Sequence, residues 1–407
     1  MRQLFPLLFL ALISASRAQD TSVGSGSTAP APIVHAALDG PRTAVFTTPR
    51  DSCEPNDVPD AMARAFRDYK GIIHFVTAAT DLYASLGPSL VKLRRSCEAA
   101  YRSSNNTNPA AFNDQAWIDS FFTPDGINVA GLTHTEYHGW AIPGECHMTN
   151  GNQYSACEYD SDTYHYSTDG GYHFHSLKAP NNFLAGVPYK YVIDDGPIGY
   201  SVDTNVISFN GWYYAVSTSW TWPPNCSGST GPHHCITSGG APIRTQNLFD
   251  PSSWRGWDGT DFSLTFIDPY VAPVTHPLQH VYTPVPYMGF VNAINVYQVF
   301  DGQQVVVATL YDYFDNELGP PGMYLTTSTD LVHWTKPTLV VTVKELAALD
   351  PPGSWLDAYF SLLDPTASDP NFATIGAHPY LYYVRLNNNN VYDRVVFRQP
   401  IKLWVNH

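Results

Sequence analysis

The stretch that decides the fold is Trp117-Ile-Asp-Ser-Phe-Phe-Thr-Pro-Asp-Gly-Ile-Asn-Val-Ala-Gly-Leu-Thr-His-Thr-Glu-Tyr-His-Gly-Trp140. Two β-rich runs flank Pro124-Asp125-Gly126, a tight-turn signal, so it reads as an antiparallel hairpin. The hairpin brings Asp119, near the start of the first strand, beside His134, Glu136 and His138 at the end of the second. Side chains alternate along a strand, which places those last three on one side. Two carboxyl groups and two imidazoles converging at one sheet end suit acid/base chemistry or a metal. The plain alternative is a polar surface turn.

The same grammar spreads outward in both directions. Upstream, Pro59–Asp68 and Gly71–Thr77 read as two strands with a turn at Lys70-Gly71, and Pro88–Ala100 has a helical pattern that a third strand also fits. Downstream, Tyr200–Phe209 and Trp212–Thr218 flank Asn210-Gly211, and Phe290–Phe300 and Val305–Leu310 flank Asp301-Gly302. Leu356–Leu363, Tyr380–Arg385 and Arg394–Leu403 close the series. The phrases Ser167-Thr-Asp-Gly-Gly-Tyr-His-Phe174, Asp250-Pro-Ser-Ser-Trp254 and Ser328-Thr-Asp-Leu-Val-His-Trp334 recur at one place in three units. Each sets a polar turn between outer strands and an aromatic to cover the unit. Repeats of four strands imply an all-β fold, a five-bladed β-propeller. A pair of β-sandwiches is the other architecture, but it leaves the matching order unexplained.

The chain begins with a basic residue, an apolar run from Leu4 to Ile13 and small residues up to Ala18, which reads as a signal peptide over 1–18. The Ser/Gly/Ala/Pro-rich segment that follows reads as a flexible leader over 19–44, with the propeller over 45–407. Six cysteines in an exported chain suggest disulfides, Cys53 with Cys97, Cys146 with Cys157 and Cys226 with Cys235 being the preferred pairing. Asn105 and Asn225 head glycosylation sequons. The formal net charge of −15 disfavours nucleic acid and anionic membrane, but not a neutral sugar. A secreted, extracellular monomer is expected.

In a propeller the innermost strands start near the axis, and here those starts carry Asp60, Asp119, Asp203, Asn292 and Asp357. Four ionised carboxylates around one axis repel each other. Cations among them (Arg64, His134, His138, Arg244, Arg385), protonation, or a metal such as a structural calcium would relieve that. An Asp at a strand start also often only caps a loop. Glycoside hydrolysis needs two carboxyl groups in unlike protonation states, and Asp60 or Asp119 with Glu136 meets that in type. Trp140, Trp212, Trp220 and Trp222 in nearby loops offer planes for sugar rings, although packing between blades also consumes aromatics.

The phrase Ser328–Trp334, the early Pro59-Asp60-Ala61 and the five-unit count resemble the five-bladed propeller glycosidases: the arabinanase and xylosidase families, the invertase type and their relatives. That resemblance implies a secreted hydrolase needing no cofactor, with Asp60 as base, Asp119 or Asp203 tuning the acid, and Glu136 as acid. The chain is more closely similar to a group of secreted proteins that share His-x-Glu-Tyr (His134–Tyr137), the Arg244–Arg255 motif and a Tyr-Leu-Tyr-Tyr-x-Arg ending (Tyr380–Arg385). A polysaccharide lyase is a second reading, with His134 or His138 taking a proton, Tyr137 assisting, and Arg64 or Arg385 facing a uronate. A carbohydrate-binding propeller without chemistry is the third. His134, Glu136 and His138 could turn toward one metal ion, but lack the helical His-Glu-x-x-His spacing.

Overall fold

A computed structural model of the chain describes residues 31–148, 156–221, 238–299, 302–313, 317–350, 353 and 355–406. The expected signal peptide, the Cys226–Cys235 pair and Asn225 lie outside the described residues.

Among the described residues the longer strands fall into five antiparallel groups. The first is β3 (Ala63–Arg67), β4 (Ile73–Thr77), β5 (Ser85–Ser89) and β6 (Lys92–Arg95), each paired with the next. The second is β7 (Gln115–Phe122), β8 (Val129–His138), β9 (Glu158–Ser167) and β10 (Phe183–Gly186). The third is β11 (Ile198–Val202), β12 (Trp212–Thr221), β13 (Gly239–Thr245) and β14 (Arg255–Gly256). The fourth is β15 (Val291–Gln298), β16 (Gln304–Asp312), β17 (Gly322–Ser328) and β18 (Thr338–Thr342). In the fifth, β19 (Trp355–Leu363), β20 (Tyr380–Asn387) and β21 (Asn390–Val405) come from the end of the chain. Its fourth member, β1 (Val34–Leu38), comes from the beginning. The fold is a β-propeller, and the two chain ends close it in one sheet.

Two expectations change here. The leader expected over 19–44 contains β1, and β2 (Thr43–Thr47) begins before its end; both pair with β21. Val34 is buried, so this segment has an apolar side to bury and a ladder to join. The helical pattern over Pro88–Ala100 yields instead to β5, β6 and a short bridge strand at Tyr101–Arg102. Leu90 packs into the core there, a tertiary demand that overrides weak local preference.

The groups pack face to face through apolar clusters rich in tyrosine and β-branched residues. The recurring turn phrases do related work. Ser167 and Asp169, like Ser328 and Asp330, accept backbone N–H groups of the turn that follows, and Phe174 and Trp254 are buried. The expected disulfides Cys53–Cys97 and Cys146–Cys157 are formed. The second and third groups touch through a short parallel pairing of Tyr159 and Asp160 with Ile198 and Gly199. A Cβ at Gly199 would come within 2.5 Å of the Asp160 backbone nitrogen, so only glycine permits this approach.

Candidate functional site

Arg64, on β3, reaches the backbones of three other groups. Its Nε donates to the Asp119 carbonyl at 2.9 Å, and one terminal nitrogen donates to the carbonyls of Asp203 (2.8 Å) and Asn292 (2.9 Å). These points are not all strand starts as expected: Asp119 is in mid-strand on β7, Asp203 follows the end of β11, and Asn292 is near the start of β15. Arg64 is itself buried. Burial lowers its pKa to about 10, against the pull of Asp119 and Asp203. The Asp119 carboxyl is buried, and Oδ1 has no hydrogen-bond partner among the described residues. Burial pushes it up to about 7, although Arg64 and His134 favour its charge. Asp203 is raised by the same cause and accepts from Ser201 at 2.6 Å and from Thr218.

Above that floor stands a two-strand ladder of acids and bases. The register of β8 against β9 sets His134 opposite Asp162, Glu136 opposite Asp160, and His138 opposite Glu158. All six positions alternate with residues pointing the other way, so they share one face. His138 Nε2 lies 2.5 Å from Glu136 Oε2, and His134 Nε2 lies 3.2 Å from Asp160 Oδ2 and 3.7 Å from Glu136 Oε1. Burial works against the charged His134, yet Asp160, Glu136 and Asp119 lift its pKa to about 10. Burial likewise opposes an ionised Glu136, but His138 and then His134 outweigh it and hold the carboxyl below its ordinary range. The opposite strand carries the protonatable acids. Burial raises Asp160 to about 7, and raises Glu158 and Asp162 well above the carboxylate range. One oxygen of each of the three has no partner among the described residues.

Asp60 supplies a different kind of carboxylate. It accepts from Arg394, which is fully buried on β21 and also donates to the Pro59 carbonyl at 2.7 Å. Tyr359 donates to the same Asp60 oxygen at 3.2 Å. Burial raises the Tyr359 hydroxyl, with the nearby charges of Asp60 and Glu136 adding to it. The Tyr359 hydroxyl is bonded to Asp60 and also feels the charge of Glu136.

The sequence-predicted residues divide cleanly. Asp60, Asp119, Asp203, His134, Glu136 and His138 meet in this site, with the Trp140 ring tilted 31° against His138 at 4.8 Å between centroids. Arg64 is there too, but its bonds go to backbone carbonyls. Tyr137 points away from the ladder: its ring packs on Tyr191 in the core, and its hydroxyl donates to the Thr107 carbonyl. Arg244 stacks on Trp212 and Phe262, each at 4.1 Å. Arg385 and Asp357 belong to another cluster, where Arg385 binds Asp350 at 2.8 Å. The side chain of Trp220 lies outside the described residues. Asn105 is exposed, as a glycosylation acceptor requires. Glu158, Asp160, Asp162, Tyr359 and Arg394 are the members that sequence reading missed.

Among the described residues, one group of three metal-type ligand atoms lies within 4.8 Å of one another: Cys146, Cys157 and Asp194. Both sulfurs are joined in a disulfide, so this is no ligand set. His134, Glu136 and His138 lie in acid–base contact with each other and with Asp160.

No family model matches the chain, and no curated protein matches its sequence. Solved structures similar to it include a Cellvibrio cellulosa α-L-arabinanase, 9% identical with a TM-score of 0.43, covering 86% of this chain and 92% of that one. A thermostable family-43 glycoside hydrolase is 10% identical with a TM-score of 0.43, covering 87% and 92%. A GH43_1 enzyme of Xanthomonas citri solved with xylose is 10% identical with a TM-score of 0.44, covering 88% and 90%. The chemistry of the site rests on its own residues.

Proposed function

We propose that the protein is a secreted glycoside hydrolase that cleaves a neutral glycan in the funnel above Arg64. The observation that carries this reading is a pair of carboxylates with unlike partners: Asp60 bound by Arg394 and Tyr359, and Glu136 bound by His138. Asp60 is matched with an arginine, a partner that does not give up its proton, and so suits the ionised role of steering water. Glu136 shares a 2.5 Å contact with His138, and the pair holds a proton that can pass to a leaving oxygen. The resemblance assigned the acid role to Glu136 alone; here the role is shared with His138. Asp119 and Asp160, both raised to about 7, stand behind them as a proton reserve.

Charge favours a neutral substrate over an acidic one. Arg64 and Arg394 are buried and bound to protein groups, and Arg385 is held by Asp350. His134, the raised imidazole of the site, is likewise already matched, by Asp160 and Glu136, so a uronate would compete with carboxylates in place for each of these cations. With Tyr137 facing the core, the lyase reading loses its second base as well.

The test is digestion of neutral and uronic-acid polysaccharides by the purified protein, reading reducing ends and near-ultraviolet absorbance together. Reducing ends from neutral glycans are expected, lost in Asp60→Asn and Glu136→Gln. Absorbance from an unsaturated product would overturn hydrolysis in favour of lysis. Silence across a broad panel would leave a binding propeller.

A further inference from the structure

Tyr359 stands in a backbone conformation that a bulky side chain rarely takes. Its φ is +60°, in the left-handed region. It lies in β19 where the register against β20 slips between Ala358 and Ser361, so two residues, Tyr359 and Phe360, face one. Such bulges usually place glycine at the left-handed position, because a Cβ there crowds the backbone. A tyrosine in this conformation is strained, and residues so held cluster at functional sites. The bulge has two attachments. The Tyr359 hydroxyl donates to Asp60 in the first group, and the next amide, Phe360 N, donates to the Asn292 side chain in the fourth at 3.2 Å. The bulge re-aims the side chain toward the axis, where the regular pleat would not deliver it.

We infer that Tyr359 is a positioning residue for the reaction: its hydroxyl, with Arg394, fixes the orientation of the Asp60 carboxylate toward substrate. The inference rests on the hydrolase reading for its kinetic consequence, but not for its physical content. Two donors from opposite ends of the fifth group fix one Asp60 oxygen and leave the other for water. A carboxylate with one oxygen pinned holds a defined direction, which is what a base acting on water at a fixed distance needs.

Tyr359→Phe tests this, since it keeps the ring and the bulge and removes only the hydroxyl. On the neutral glycan that the wild type cleaves, kcat should fall about 10–100-fold with KM within about two-fold, in the range seen when an orienting hydrogen bond is lost. An unchanged kcat and KM would show that Tyr359 only fills the bulge, and would overturn the inference. Tyr359→Gly, which suits the backbone without strain, should be as slow as the Phe variant; wild-type rate in it would equally overturn the inference. A thermal double-mutant cycle with Asp60→Ala separates this from the hydrolase reading. Tyr359→Phe should lower Tm by roughly 2 °C with Asp60 present and by less without it. Coupling in a protein that hydrolyses nothing would keep the positioning and sink the hydrolase. Additive shifts would sink the positioning.

Discussion

Two clusters of charge can be set side by side, one on β8 and β9 in the second group of strands and one around Asp350 in the fifth. In the fifth, Asp350 takes two arginines, Arg42 at 2.6 Å and Arg385 at 2.8 Å. The arginines are themselves covered: Arg42 lies 4.1 Å over the ring of Phe397, and Arg385 lies 4.3 Å over Trp355. Asp357 completes this cluster, raised to about 7 by burial and then by Asp350, with Arg42 and Arg385 opposing. In the second group the bases are histidines, and the β9 acids Glu158 and Asp160 each keep an oxygen without a partner among the described residues. The partners decide what each cluster can do. Arginine does not deprotonate, so the Asp350 ion pairs keep their charge and act as a clasp on the closing strands. Imidazole does, so the β8–β9 ladder can give and take protons without rearrangement.

The sharpest way to break that contrast is one neutralising substitution in each cluster. Glu136→Gln should reduce glycan hydrolysis by about 1000-fold, the scale of a lost general acid, while the protein stays folded. Asp350→Asn should do the reverse. Leaving Arg42 and Arg385 buried without their anion should cost about 3 kcal/mol of stability, with turnover per folded molecule retained. Kinetics and chemical denaturation of both variants decide it. A rate loss of that size in Asp350→Asn would make the fifth group's cluster part of the site.

The ladder should also write itself into the pH dependence of stability. His134 has a folded pKa of about 10, above an unfolded imidazole near ~6.5, so its contribution is complete below ~6.5 and is lost as pH rises through about 10. Asp119 and Asp160, at about 7 against an unfolded ~3.9, act in the same sense: complete below ~3.9 and lost as pH rises through about 7. Glu136, held low by His138 and His134, runs the other way and loses its contribution as pH falls through its folded value. With three groups against one, Tm should peak on the acid side of neutral and decline toward alkaline pH. Asp160→Asn should flatten that decline, since it removes one raised acid and the main partner of His134. A Tm that rises steadily from pH 5 to 9 (an arbitrary window of about four units) would contradict this.

What the sequence disclosed follows from range. The Trp117–Trp140 hairpin, its turn and the shared face of His134, Glu136 and His138 are local consequences of alternation, and the structure keeps them all. Alternation also marked the facing acids. Glu158-Tyr-Asp-Ser-Asp162 repeats carboxylates at every second position, but the cysteine-bearing loop before it hid the register. Arg64 was legible as a cation among carboxylates, but its target was not, because three backbone carbonyls leave no trace in composition. Arg394 and Tyr359 were beyond reach: they lie 334 and 299 residues from Asp60 along the chain. No local pattern announces a bulge that puts a tyrosine at positive φ.

The smallest expected effect tests the alternation itself. Tyr137 sits between Glu136 and His138 in sequence, and as a sequence candidate it looked like part of the same site. On a strand, that adjacency is what removes it: its ring lies on the opposite face, 4.7 Å from Tyr191, in the apolar cluster between the second and third groups. Tyr137→Phe therefore deletes one hydrogen bond, to the Thr107 carbonyl at 3.2 Å, and nothing from the ladder. The loss should be about 1 kcal/mol of stability or less, with kcat, KM and the pH profile unmoved. If the Phe variant instead loses hydrolysis while keeping its Tm, the hydroxyl reaches substrate, and the face assignment of the whole β8–β9 ladder fails with it.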